Sequence, residues 1–202
     1  MKLKEIKLNF ISEEVIPLFL EKPIADITVK DIAQKVGLGE ATIYRYFSKK
    51  QNLVKAVALK LQSTVYEKYF DFSACTTGYD KISAFYGGYL RIFEEKRELF
   101  RFLNQFDAYC ISEELTDLEA YSSGLEEFKN AYISAYENGI KDGSVRPVDD
   151  IDLFYYSSTH SLLELCKKLS SENDIVLQDK MSDKIGEIST LVGIFLYRIK
   201  AK

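Results

Sequence analysis

The clearest absences in this sequence concern the residues from which catalytic sites are built. Its 202 residues include no tryptophan and a single histidine, His160, so any histidine-based triad would depend on that side chain. Neither a Gly-x-Ser-x-Gly nucleophile elbow nor a glycine-rich phosphate loop occurs. His160 and Glu164 lie one helical turn apart and could share a ligand or metal, but such a pair is more often a structural hydrogen bond. We therefore expect no enzymatic activity, no metal and no cofactor.

Cysteine and long apolar runs are also scarce. Cys75, Cys110 and Cys166 are odd in number and widely spaced, without a paired C-x-x-C. This spacing is typical of reduced thiols rather than of disulfides or a zinc site. No stretch approaches the roughly 18 consecutive apolar residues that span a bilayer. These observations predict a cytoplasmic protein that does not contact membranes.

The net charge of −4 conceals a change of sign along the chain. Residues 1–60 carry 11 Lys/Arg and 7 Asp/Glu, whereas the remaining residues carry 16 and 24. A basic N-terminal region on an acidic body can approach phosphates while the body stays away from them. The distribution favours a nucleic-acid partner for the N-terminal region, although a small region can also be basic by chance.

Only three prolines interrupt the chain, and its apolar residues recur at helical spacing, so the sequence predicts an all-α fold. The expected helices cover residues 3–20, 28–36, 40–47, 48–72, 79–95, 97–109, 122–141, 151–170 and 180–200. Pro17 should end or kink the first helix near Ile16. The polar stretch 73–78 is the expected boundary between an N-terminal domain (1–50, with a linking helix at about 48–72) and a body (73–202).

The segment from Thr28 to Phe47 has the pattern of a helix-turn-helix. Thr28 and Asp31 form a capping box at the start of a helix with one apolar stripe, and Gly37 follows where a turn needs positive φ. A second short helix places Ile43 and Phe47 one turn apart on its inner face. Ser48 then has the residue type of an N-cap for the helix that follows.

The outer face of the second helix carries residue types that suit DNA. Arg45 can donate two hydrogen bonds to guanine O6 and N7. Other polar and basic side chains in this region can contact phosphates. The expected DNA contacts are Thr28, Lys30, Thr42, Tyr44, Arg45, Tyr46, Lys49 and Lys50, and Lys55 lies just beyond them. The outward Glu40 would repel phosphates but could accept a hydrogen bond from a cytosine amino group.

The stretch ITVKDIAQKVGLGEATIYRYFSKKQNLVKAV, which ends at Val57, resembles the N-terminal domain of the TetR (tetracycline-repressor-like) family of bacterial regulators. The matching positions are Thr28, Ile32, Ala33, Gly37, Thr42, Tyr44, Tyr46, Phe47, Lys50 and Leu53. The sequence departs from the family pattern at Pro17, Pro23, Gly39 and Ala41. The resemblance implies a three-helix DNA-binding head, a long fourth helix and a helical ligand-binding and dimerisation body. It also implies that Thr42, Tyr44, Tyr46 and Lys50 contact DNA, whereas Arg45 stands at a variable position.

The last two predicted helices carry apolar seams at alternating steps of four and three. The seam could be intramolecular core, but the resemblance implies that these helices pair across a twofold axis. A homodimer would suit a pseudo-palindromic operator in double-stranded DNA. The expected interface residues are Leu162, Leu165, Leu169, Ile188, Val192, Phe195 and Ile199.

Aromatic residues are dense in the middle helices. Core packing explains many of them, but a buried tyrosine hydroxyl needs a partner, so numerous tyrosines suit a pocket with apolar walls and polar handles. The expected pocket residues are Tyr86, Tyr89, Phe93, Phe106, Tyr109, Tyr132, Tyr136, Tyr156 and His160. They predict a small apolar or aromatic effector that releases a repressor from DNA. The alternatives are a DNA-binding protein controlled by a protein partner, or a helical enzyme.

Overall fold

A computed structural model describes residues 3–171 and 183–201 of the chain, and these residues form an all-α fold, as predicted. A 3-10 turn, Ile24–Asp26, lies between the first two helices. The predicted first turn of the last helix, 180–182, lies outside the described residues. The α-helices of the described residues are α1 (Leu3–Glu21), α2 (Val29–Val36), α3 (Glu40–Phe47), α4 (Lys50–Tyr69), α5 (Gly78–Glu95), α6 (Glu98–Ser112), α7 (Glu119–Asp142), α8 (Ile151–Leu169) and α9 (Lys184–Ile199).

Of the two outcomes predicted for Pro17, an end of the helix or a kink near Ile16, the end does not occur. Helix α1 continues through Pro17 to Glu21, although an interior proline removes a main-chain donor at a cost of about 3 kcal/mol. Val15 and Phe19 stand on either side of Pro17 and are both buried. Burial of the helix before and after the proline stabilises the helical conformation enough to outweigh the local cost.

The described residues divide into two compact units. The first contains residues 3–64 and 101–124, and the second contains residues 65–100, 125–171 and 183–201. The sequence had assigned residues 101–124 to the body, whereas their contacts group them with the N-terminal helices. The functional boundary predicted at 73–78 stays a prediction.

The first unit is held together by an aromatic row between distant parts of the chain. The ring of Phe19 on α1 meets Phe102 on α6 edge to face, with centroids 6.4 Å apart. Phe102 stacks on Phe106 at 5.9 Å, and Phe106 contacts Tyr121 at 5.3 Å. These contacts bury the side of α1 that carries Phe19, and α1 in turn packs against α2 and α3.

The second unit brings three helix ends together at the turn that follows α7. The N–H of Gly78, at the start of α5, donates to the Asp142 carboxylate over 2.8 Å. Arg146 donates from its main chain to the carbonyl of Ile199 at the end of α9, over 2.8 Å. Helices α5 and α7 cross so closely that a Cβ on Gly78 would lie 2.1 Å from the main-chain nitrogen of Gly139.

None of the helices in the described ranges is long and apolar enough to cross a membrane. Within the same ranges, no group of three His, Cys, Asp or Glu side chains is placed to hold a metal ion. Cys75 and Cys110 are half-buried free thiols, and Cys166 is a buried one.

Candidate nucleic-acid interface

Helix α2 begins with the predicted capping box. The Asp31 N–H donates to Thr28 Oγ1 over 3.1 Å, and the Asp31 carboxylate accepts from the Thr28 N–H over 2.8 Å. The Thr28 hydroxyl also donates to the carboxylate over 2.6 Å. These hydrogen bonds favour the charged carboxylate, so the pKa of Asp31 lies below its usual value. The cap fixes where α2 starts relative to the preceding chain.

The turn between α2 and α3 depends on Gly37. This residue adopts φ 68° and ψ 30°, the left-handed conformation that ends many helices and that glycine adopts without steric cost. The N–H of Leu38 then donates to the carbonyl of Ala33 over 2.9 Å. Gly39, which precedes α3, has an extended backbone with φ −77° and provides no side-chain cap.

Helix α3 separates an apolar face from a polar one, as predicted. Ile43 and Phe47 are buried against the rest of the first unit. Tyr44 is 49% exposed, Arg45 is exposed, and Thr42 and Tyr46 are half-buried. The Arg45 guanidinium lies 5.4 Å from the centre of the Tyr46 ring, a distance at which a cation–π contact restrains the arginine. The outer face of α3 therefore presents a restrained arginine flanked by hydroxyl groups.

Ser48 is not the N-cap of the following helix. It ends α3 with φ 64°, and its N–H donates to the carbonyl of Tyr44 over 2.8 Å. Helix α4 begins at Lys50. The side chain of Asn52 donates to the carbonyl of Phe47 over 2.7 Å, so a residue inside α4 satisfies the end of α3. The N-cap prediction for Ser48 is wrong because this sharp turn joins the two helices directly.

The basic residues around the motif have different partners. Lys30 and Lys49 are exposed. The ammonium group of Lys55 lies 2.9 Å from the Asp117 carboxylate, and its side chain is only 19% exposed. The ammonium group of Lys50 donates to the carbonyl of Ile24 over 2.5 Å. Their roles in phosphate binding stay predictions, but Lys30 and Lys49 have the exposure that such contacts require.

In the second unit, two of the predicted pocket tyrosines meet in a buried chain of hydroxyl groups. Tyr86 OH and Tyr132 OH are 2.9 Å apart, and Tyr86 OH donates to Ser158 Oγ over 2.7 Å. Ser158 Oγ donates in turn to the carbonyl of Tyr155 over 3.1 Å. Burial disfavours the phenolate, raising the pKa of Tyr86 to about 12 and that of Tyr132 further. The predicted pocket residues did not include Ser158 and Tyr155, because sequence spacing alone does not show which face of α8 is buried.

The remaining predicted pocket residues do not join this chain. Tyr136 OH accepts from the N–H of Val148 over 3.0 Å. Phe93 packs against Phe100, and Tyr89 against Phe70 and Phe85. The other members lie on the exposed face of α8 or in the first unit; they are Tyr156, His160, Phe106 and Tyr109.

The predicted dimer seam is largely buried within one copy of the chain. Phe195 and Leu165 are half-buried, and Phe195 lies 5.6 Å from the Tyr86 ring. The buried members are Leu162, Leu169, Ile188, Val192 and Ile199. These residues form intramolecular core, which is the alternative that the seam pattern had left open.

A different face of α8 and α9 is open to solvent. A groove of about 750 Å³ runs between the two helices, and its lining mixes small, polar and apolar side chains. The lining residues are Ser161, Leu165, Asp183, Gly186, Glu187, Thr190, Leu191 and Ile194. Ile194 is 58% exposed, and Tyr197 one turn further is 80% exposed.

The chain is similar to known transcriptional regulators. Residues 16–57 match the family described as bacterial regulatory proteins, tetR family. The repressor KstR2 of Mycolicibacterium smegmatis is 25% identical over 141 residues, 68% of this chain and 67% of the relative.

Two solved structures extend the likeness to the body. The ketosteroid transcriptional regulator KstR2 of Mycobacterium tuberculosis gives a TM-score of 0.65 at 16% identity, over 97% of this chain and 96% of its own. A transcriptional regulator from Saccharomonospora viridis in complex with choline gives a TM-score of 0.72 at 15% identity, over 98% of this chain and 100% of its own. At these identities the likeness shows a shared fold.

Proposed function

Because this chain is a member of the tetR family of bacterial regulatory proteins, we propose that it is a ligand-responsive repressor that binds operator DNA as a homodimer. The observation that carries this proposal is the outer face of α3. A capped α2, a left-handed glycine and a buried pair on α3 hold that face outward, where a recognition helix needs its polar side chains.

Arg45 is the proposed base-reading residue. Its guanidinium is exposed and lies against the Tyr46 ring, so less side-chain freedom is lost when it binds a guanine edge. The proposed phosphate contacts are the neighbouring hydroxyl groups and exposed ammonium groups of Thr42, Tyr44, Lys30 and Lys49. The hydroxyl of Thr28 binds Asp31, so its part in phosphate binding would come through the amides at the start of α2.

The DNA-binding proposal is tested by fluorescence anisotropy with the DNA upstream of the chain's own gene. We expect specific binding, and Arg45→Ala should weaken it by about 1–3 kcal/mol and relax the preference at one base pair. Arg97→Ala, which removes the same charge from the second unit, is the matched control. Loss of affinity for all sequences alike would contradict base reading by Arg45, and absence of specific binding by the natural chain would contradict the regulator function.

We propose that the open face of α8 and α9 is the surface on which a second copy docks. Small residues such as Ser161 and Gly186 in the groove permit close helix approach, while Ile194 and Tyr197 supply exposed apolar area. Sedimentation velocity should show a dimer that Ile194→Lys converts to monomer. Leu125→Lys alters an apolar residue of α7 that is 49% exposed and should leave the dimer intact; a dimer that survives Ile194→Lys would refute this surface.

The proposed effector is a small apolar or aromatic molecule with a neutral polar group. The hydroxyl chain of Tyr132, Tyr86 and Ser158 lies in an aromatic core, where an unpaired charge would be costly. The buried Ser83 Oγ, one turn before Tyr86, has no hydrogen-bond partner within the described ranges. It could accept a hydrogen bond from such a ligand.

Three probes with one biphenyl skeleton test the class of effector: 4-phenylphenol, 4-phenylbenzoate and 4-phenylbenzylamine. We expect the phenol to raise the melting temperature and to release DNA, and Tyr132→Phe to weaken both effects. A response confined to the anion or the cation would contradict the neutral class. Responses to none of them, together with capture of a protein that releases the DNA, would favour control by a protein partner.

A further inference from the structure

The 3-10 turn before the helix-turn-helix is held at both main-chain polar groups of one residue. The N–H of Ile24 donates to Gln105 Oε1 over 3.0 Å, and its carbonyl accepts from the ammonium group of Lys50. Gln105 belongs to α6 and Lys50 to the first turn of α4. Two side chains distant in sequence therefore meet at one buried residue, four positions before the Thr28 cap.

The turn depends on these partners because its side chains are buried. Ile24 and Ile27 are both almost fully buried, so the main chain between them is close to the core of the first unit. Main-chain polar groups near a core need hydrogen-bond partners. Within the turn, the Asp26 N–H donates to the carbonyl of Pro23. The N–H and carbonyl of Ile24 are satisfied instead by side chains of other helices.

The surroundings of Lys50 suit an internal role for its ammonium group. It lies 5.8 Å from the centre of the Tyr109 ring, on the same helix as Gln105. Partial burial lowers the pKa of Lys50, while nearby carboxylates, Glu113 first among them, oppose that shift. Lys49, its neighbour in sequence, is exposed and serves as the natural comparison.

We propose that Lys50 and Gln105 are positioning residues for DNA recognition, which act by clamping Ile24 rather than by contacting phosphate. The clamp sets the path of the chain from α1 into α2, and α3 packs on α2. The clamp therefore controls the position of Arg45 relative to the other proposed DNA contacts. Gln105 lies outside the residues 16–57 that match the family, so the family match does not assign it. The inference rests on the proposed DNA-binding function.

Salt dependence distinguishes a clamp from a phosphate contact. Each phosphate contact contributes about 0.9 to the slope of log affinity against log salt concentration. We expect Lys49→Met to reduce the magnitude of the slope by the contribution of one phosphate contact and to weaken binding to all DNA sequences alike. Lys50→Met and Gln105→Met should leave the slope unchanged and lower the affinity for the specific site roughly 5- to 30-fold, the effect of one lost hydrogen bond to a buried group.

Two controls separate positioning from general damage. Gln105→Glu keeps an oxygen that accepts from the Ile24 N–H and should retain affinity, and Asn104→Ala changes an exposed neighbour on α6. Amide hydrogen exchange at Ile24, measured without DNA, should accelerate in Gln105→Met but not in Gln105→Glu. This readout tests the clamp even if the natural chain binds no specific DNA, an outcome that would count against the proposed function instead.

The proposal is overturned if Lys50→Met reduces the salt slope as Lys49→Met does, because Lys50 would then contact phosphate. Unchanged specific affinity in Gln105→Met would overturn it equally. If Gln105→Met does not fold, amide hydrogen exchange at Ile24 is measured in Gln105→Leu and in Lys50→Met instead. Exchange at the natural rate in both of these variants refutes the clamp.

Discussion

The buried hydroxyl chain in the second unit makes a prediction about stability that depends on the order of its members. Ser158 donates to a main-chain carbonyl and Tyr86 OH donates to Ser158 Oγ, so we infer that Tyr132 is the donor in its hydrogen bond with Tyr86 OH. Tyr132→Phe removes only the first donor, and Tyr86 keeps its own acceptor. We expect a loss of about 1 kcal/mol in the free energy of unfolding, the net value of one hydrogen bond.

Tyr86→Phe removes the central member and leaves the Tyr132 hydroxyl buried without an acceptor. Both tyrosine rings are fully buried, so water cannot replace the lost partner, and the cost rises to about 2 kcal/mol. The double variant removes the stranded hydroxyl as well. It should therefore be no less stable than Tyr86→Phe alone, and the two substitutions should be strongly non-additive.

Urea unfolding followed by far-UV circular dichroism measures these differences, at one protein concentration because the proposed dimer would make stability depend on concentration. Tyr44→Phe, at a tyrosine that is 49% exposed on α3 and outside the proposed docking surface, is the control and should change stability little. Equal losses in the two single variants, or a double variant that loses their sum, would refute the directional chain. Unequal m-values would show instead that a variant changes the compactness of the unfolded state.

Three further predictions concern backbone geometry and pH. Gly37→Ala should cost about 1–2 kcal/mol because φ is positive there, whereas Gly39→Ala, at φ −77°, should change the urea midpoint little. Gly139→Ala should cost about 1–3 kcal/mol, since its Cβ would lie 2.4 Å from a methyl group of Val145 in the following turn; a variant as stable as the natural chain would contradict this close packing of the turn on α7. Thr28→Val should destabilise the fold at neutral pH, and the difference should shrink as pH falls from the ordinary aspartate pKa of 3.8 through the lower pKa of Asp31 in the folded chain, because the protonated carboxyl no longer stabilises the cap. A difference that persists unchanged in acid would exclude the carboxylate as its source.

The sequence was sufficient for features that depend on neighbouring residues. The Thr28 cap, the Gly37 turn and the inward pair Ile43 and Phe47 each involve residues at most four apart, and the structure contains them all. Local chemistry decides such features, because a cap or a left-handed turn needs particular residue types at fixed spacing. Pro17 is the exception, where tertiary packing outweighs a local preference.

Features that depend on which helices meet could not be read in the same way. The apolar seam of α9 identified an inner face, but periodicity does not show whether that face meets α5 of the same chain or a second copy. Phe106 and Tyr109 belong to the same aromatic pattern as Tyr86, yet they pack in the other unit. The partner of Lys50, a main-chain carbonyl 26 residues away, has no signature in sequence spacing.

The row of rings from Phe19 through Phe102 to Phe106 has a consequence for engineering hybrid regulators. A hybrid cut at the start of α4 would leave Phe19 facing a foreign α6, which need not carry a ring that matches Phe102 or an acceptor for the Ile24 N–H. A transplant that carries residues 101–124 together with residues 1–64 would keep the first unit intact, at the cost of two additional junctions. The portable module of this protein is therefore discontinuous in sequence.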